Sequence, residues 1–206
     1  LGASKLMTDD KVHHAHGARA DLWILAGLAA LVGVASSGVA VALRGGVHRL
    51  FDSLGPMRDQ PLGFLLPAVG AFFAVWGIRV GFREKGSHGV SSVLEAVTRK
   101  GGYLPKRSIV SRLVGSLVNV ASGGSAGLEG PTAFSAAAVG SAVGGVARVA
   151  QRQRTLLLAC GVAGGIGAIF NAPLTGLIFA TEVVLAEWTL VSVIPLGVSA
   201  IVATEI

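Results

Sequence analysis

Three stretches, LWILAGLAALVGVASSGVAVAL (22–43), PLGFLLPAVGAFFAVWGI (61–78) and TLLLACGVAGGIGAIFNAPLTGLIFAT (155–181), contain no Asp, Glu, Lys or Arg. About 20 apolar residues in a helix cross the ~30 Å of a bilayer's hydrocarbon, and each run reaches or approaches that length. A further run covers 188–204. Only helices and closed barrels satisfy their backbone groups in lipid. Runs of this length and hydrophobicity therefore predict an all-α, polytopic membrane protein. Composition agrees: 52% of the 206 residues are hydrophobic and 14% charged, against about 25% charged in soluble domains.

The net charge of +6 does not point to nucleic acid, because the cations form no single stripe. They sit between apolar runs, at 79–85, 99–112 and 148–154. The positive-inside rule places the first two clusters in the cytoplasm and leaves the side of the third open. Cys160 is the one cysteine, so there is no disulfide framework. The first apolar run is too long and wrongly flanked for a cleaved signal peptide. The chain starts at Leu1 and stops at Ile206 within apolar sequence, which reads as two cuts and not as natural termini. Compact linkers suggest a prokaryotic inner (plasma) membrane.

Residues 1–18 are polar, with His13, His14 and His16, and read as a solvated tail or interfacial segment without a metal. A helix is predicted over 19–43, a loop over 44–60 from Gly45-Gly46 and Gly55-Pro56, and a second helix over 61–82. GSHGVSSVLEAVTRKGGYLP (86–105) has room for about ten helical residues, too few to cross a bilayer. A helix over 106–121 is broken by SGGSAGLEGP, and another is predicted from Pro131, favourable at a first helical position. FNAPLTG (170–176) repeats that device, with Asn171 as the expected N-cap. Glycines 144, 145, 161, 164 and 165 read as small-residue faces for close helix packing.

Such breaks place helix N-termini inside apolar sequence. A helix N-terminus exposes unpaired N–H groups and about half a positive charge, and glycine lets an ion approach the backbone. Gly86–Gly89 and Gly123–Gly130 supply two such mouths for a small anion. Between 113 and 147 the one ionisable residue is Glu129. Acids inside membranes mark ion pathways or proton relays. At a helix start, the Glu129 carboxylate competes with a free anion for the same N–H groups, acting as a tethered substitute ion that protonation releases. No Gly-Lys-Ser/Thr follows, so this is not a nucleotide loop. The serines lack hydrolase partners, and no enzyme chemistry or cofactor is indicated.

GSAGLEGPTAFSAAAVGSAVG and FNAPLTGLIFATEVV resemble the CLC family of chloride channels and chloride/proton exchangers, from about residue 22 onward. The resemblance implies a fold of two inverted repeats of tilted and broken helices, a homodimer with a pore in each subunit, and chloride as the transported ion. Protons are a second candidate cargo. In the family motif G-[KR]-E-G-P the glutamate gates the pore, and its match is Glu129. Residues 19–206 resemble the first repeat only. The later G-x-F-x-P segment and pore tyrosine have no counterpart, and the chain is read as truncated before the second repeat.

Three departures bear on function. Leu128 replaces the family's Lys or Arg. The family's G-S-G-I-P anion segment falls on GSHGVS, where the spacing selects His88 and a one-residue shift selects Ser87. The expected anion-binding set is thus Ser87, His88, Gly89, Val90, Gly127, Leu128 and Gly130. At the family's inner proton glutamate the matched pair is Glu182 and Val183. Glu182 is a candidate proton-path residue, and apolar Val183 favours a channel over an exchanger. The missing second repeat leaves a half-protein without transport, with a structural or regulatory role, as the other alternative.

Overall fold

The computed structural model describes the backbone of residues 2–81 and 89–206, with side chains for 22–80, 89–107 and 109–206. Nine α-helices follow one another among the described residues: α1 (Gly2–Ser53), the single turn α2 (Gly55–Arg58), α3 (Leu66–Trp76), α4 (Val90–Arg99), α5 (Arg107–Ala121), α6 (Glu129–Val146), α7 (Gln151–Phe170), α8 (Pro173–Phe179) and α9 (Leu190–Thr204). A 3-10 turn (Gly63–Leu65) leads into α3, and π-helical turns end α3 (Gly77–Gly81) and α8 (Ala180–Leu185). No strand occurs among them. Leu22–Ser53, Gly63–Val80 and Gln151–Phe170 are long and apolar enough to cross a membrane. Helices α4, α5 and α8 are short, as the Gly and Pro breaks predict.

Helix α7 is the hub, packed by α1, α6, α8 and α9. Every residue from Leu156 to Gly167 is buried. A helix apolar on all sides belongs in a protein or membrane interior. Close approach depends on glycine. A Cβ on Gly161 would overlap the Ala136 carbonyl, and one on Gly140 the Leu157 carbonyl, so the α6 and α7 backbones touch. Small residues at helix interfaces permit this contact. Polar side chains add fixed points: Ser199 Oγ donates to the Cys160 carbonyl at 2.7 Å, and Ser135 Oγ donates to the Ile109 carbonyl at 3.1 Å.

Ser141 on α6 holds the α4–α5 connection. Its hydroxyl donates to the Gly102 carbonyl at 2.6 Å and accepts from the Leu104 N–H at 3.0 Å. Ser141→Ala strands two buried backbone groups, each worth about 1–3 kcal/mol when left unpaired. The expected result is a lowered denaturation midpoint in detergent with helical content unchanged. An unaltered midpoint would show that the clamp contributes nothing.

The predicted loop over 44–60 is largely helical: α1 continues to Ser53. The reason is tertiary, since Gly46 sits against Leu117 of α5 and a Cβ there would overlap Leu117 Cδ1. Arg58 then covers the turn, its guanidinium 3.7 Å from the Phe51 ring centroid and donating to the Ala121 carbonyl at the end of α5 (3.4 Å). The backbone from Gly2 is helical and continuous with α1, in the stretch that the sequence suggested as a tail or interfacial segment.

Asn171 is not an N-cap. It closes α7 in the left-handed region (φ 52°), and Ala172 precedes α8 with Pro173 in its first turn. Asn tolerates that conformation, so one residue type serves either role. Part of the third basic cluster is also located: Arg99, Lys100, Gln151 and Arg154 line one cavity, which puts Arg154 at the same end as Arg99 and Lys100.

Candidate anion site

Helix α6 starts two residues before Pro131, with Leu128 as the flanking residue and Glu129 at its first position. The first intrahelical bond runs from Thr132 N–H to the Leu128 carbonyl (3.0 Å). The N–H groups of Glu129 and Gly130 thus lack intrahelical partners, and Pro131 has none to offer. The acid lies on the first turn itself, not ahead of it. Its side chain is exposed and curls back on its own N-terminus: a Cβ on Gly127 would collide with Glu129 Oε2. Gly127 therefore makes room for the carboxylate.

Helix α4 begins at Gly89, whose φ of 70° and ψ of −140° suit glycine. A Cβ on Gly89 would stand 3.9 Å from Gly130 Cα, and one on Gly130 3.9 Å from Gly89 Cα. Two helix starts separated by 40 residues of sequence thus meet glycine to glycine. Gly89, Val90, Gly127, Leu128, Glu129 and Gly130 form one neighbourhood. Ser87 and His88 lie outside the described residues.

A cleft of ≈ 740 Å³ opens beside this junction, lined by Gly89, Gly127 and Pro131 from the two mouths. Its opposite wall is a face of α5, formed by Arg112, Gly115, Ser116 and Asn119. The spacing i, i+3, i+4, i+7 is one side of a helix. Arg112 is buried, 8% exposed, with its guanidinium 5.3 Å from the Phe134 ring centroid. Ser116 Oγ is buried without a hydrogen-bond partner. Arg79, from the π turn after α3, also lines the cleft, with Ala71, Ala74 and Val75 of α3.

Arg112 corrects the sequence reading, which grouped it with linker cations. The signal was present: an Arg within a helical apolar run, sharing a face with Gly115, Ser116 and Asn119. Ser116 and Asn119 were likewise missed.

Glu182 is not brought to this site. It lies exposed on the π turn after α8 and accepts from Trp188 Nε1 at 3.3 Å. Leu185 of the same turn faces the cavity at the start of α7, the end at which α6 terminates. Glu129 starts α6, about 27 Å away along an 18-residue helix at 1.5 Å per residue. Among the described residues no group of three or more His, Cys, Asp or Glu could hold a metal.

The family model described as voltage gated chloride channel matches residues 70–206, a span that holds both helix starts, the cleft and the FNAPL break. The chain belongs to the CLC family. It is 37% identical over 143 residues to a ClcB-like protein of Ralstonia nicotianae, covering 68% of this chain and 33% of that one. It is 30% identical over 188 residues to the H(+)/Cl(-) exchange transporter ClcA of Vibrio cholerae, covering 85% and 40%. To the voltage-gated ClC-type chloride channel ClcB of Citrobacter koseri it is 33% identical over 155 residues, covering 73% and 35%. This CLC chain thus spans a third to two fifths of the length of these relatives.

Two solved structures share its fold. A slow cyanobacterial Cl-/H+ antiporter superposes with a TM-score of 0.74 at 21% identity, over 88% of this chain and 45% of that one. A CLC-type fluoride/proton antiporter gives 0.75 at 24%, over 89% and 46%. At these identities the likeness speaks for the fold alone.

Proposed function

We propose that residues 19–206 supply the first repeat of a chloride pathway in a bacterial inner membrane, functioning in a homodimer. The α4 and α6 N-termini attract the anion, and Glu129 gates it. The observation that carries this reading is the junction of Gly89 with Gly130, with the Glu129 carboxylate folded against Gly127. Exposed N–H groups and two helix dipoles favour a monovalent anion without a fixed cation in contact that would slow its release. The ionised carboxylate takes the anion's place, and protonation or a swing of the side chain vacates it.

Arg112 and Arg79 hold the cleft positive. Leu128, apolar where the CLC motif has Lys or Arg, removes the cation next to Glu129 in the sequence. Val183 favours passive conduction over chloride/proton exchange. Glu182, exposed and hydrogen-bonded to Trp188, is the remaining candidate for proton entry in the exchanger alternative.

Chloride flux from liposomes tests the reading. The chain joined to a second CLC repeat is expected to conduct, and the chain alone to be silent. With a pH probe in the lumen, a chloride gradient is expected to leave the luminal pH unchanged. Uphill proton movement would establish the exchanger. Arg112→Gln removes a charge worth on the order of 1 kcal/mol to a nearby anion in a partly wet cleft, so apparent chloride affinity should fall about fivefold. An unchanged affinity would remove Arg112 from the pathway.

A further inference from the structure

At the end of the molecule remote from Glu129, cations converge where α4 stops and α7 starts. Gly101 and Gly102 (φ 55° and 77°) turn the chain sharply, and a Cβ on Gly102 would stand 2.9 Å from Thr155 N. The turn sets the end of α4 against the first turn of α7. Arg99, Lys100 and Arg154 line the resulting cavity of ≈ 470 Å³ together with Gln151. Gln151 also lines a neighbouring, mainly apolar cavity of ≈ 980 Å³, together with Leu25, Val97, Leu156, Val191 and Arg152.

The charge at this end is poorly compensated. The first turn of α7 holds no acid, and Arg152 and Arg154 stand at its second and fourth positions. Cations there oppose the helix dipole. Among the described residues the one ion pair at this end joins Lys100 Nζ to Glu95 Oε1 at 3.1 Å. Arg154 Nε is buried without a hydrogen-bond partner, and its guanidinium lies 5.8 Å from the Tyr103 ring centroid. Glu187, on the wall of the apolar cavity, accepts from Ser192 Oγ at 3.0 Å.

We propose that this end binds an anionic phospholipid, with its phosphate in the Arg99–Lys100–Arg154 cavity and an acyl chain along the apolar one. Basic pockets between membrane helices on the cytoplasmic side hold lipid headgroups in this way. The joined apolar cavity is what favours a lipid over a soluble phosphate. Gln151 lines both parts, and its neighbour Arg152 adds a cation to the lining of the apolar one.

Native mass spectrometry of the full chain, equilibrated with equal amounts of phosphatidylglycerol and phosphatidylcholine, tests this. Phosphatidylglycerol should be retained about tenfold more often. The variant Arg99→Gln/Lys100→Gln/Arg152→Gln, which leaves Arg154 and its packing on Tyr103 intact, should bring the two lipids to parity. Arg44→Gln/Arg49→Gln, on α1 away from this cavity, should keep the preference. Soluble glycerol phosphate at matched concentration should not displace the lipid. Equal retention by the native chain, an equal loss in the α1 variant, or displacement by glycerol phosphate would each overturn the proposal. The first arm needs no variant, so a folding defect cannot obscure it.

Discussion

In the chain joined to a second CLC repeat, Glu129→Gln is expected to abolish the pH dependence of chloride flux and to raise flux at neutral pH to the level the same protein with Glu129 reaches in acid. Glutamine has the shape of the protonated acid and carries no charge. It leaves the Glu129 and Gly130 N–H groups free and removes a competitor for them. A negative group on a helix's first turn is worth about 0.3–2 kcal/mol, so apparent anion affinity should rise by up to about 30-fold. Flux at fixed chloride over a pH series, with parallel chloride titrations, reads both quantities. Flux that keeps its pH response in the variant would take Glu129 out of the gate.

Gly161→Leu should be the most damaging change to the fold. The new side chain has nowhere to go, because the Ala136 carbonyl of α6 occupies the position its Cβ would take. Overpacking an interior costs about 1–3 kcal/mol even where side chains can move. Here a backbone must move, which parts α6 from α7 and carries the Glu129 helix off its seat. The expected outcome is loss of monodisperse protein on extraction. Gly27→Leu is the comparison: nothing lies within 4 Å of a Cβ there, and the protein should survive. Equal yields from the two variants would mean that the α6–α7 contact is not tight.

The short helices were legible because their signals are local. Gly89 ahead of Val90, Gly101-Gly102 behind Arg99, and Pro131 and Pro173 inside first turns each mark a boundary through backbone chemistry. Glu129 stood out because no other charge lies between 113 and 147. What could not be read depended on distant partners. Gly45-Gly46 looks like a turn until Leu117 of α5 is seen to need the space beside Gly46. Asn171 suits a helix start as well as a left-handed end, and only the course of the chain decides between them. Arg112 was hidden by Lys106 and Arg107, close in sequence but on the linker side. Helical spacing with Ser116 and Asn119 would have separated it from them. The meeting of Gly89 with Gly130 has no local signature at all.

Bromide is a heavy stand-in for chloride, and its anomalous diffraction locates bound anions directly. In bromide-soaked crystals of the native protein, bromide should lie at the junction, within hydrogen-bond reach of the Val90 or Gly130 N–H. In Glu129→Gln a second bromide should occupy the space beside Gly127 where the carboxylate was. Bromide absent from both helix starts, or an identical pattern in the two proteins, would contradict the account.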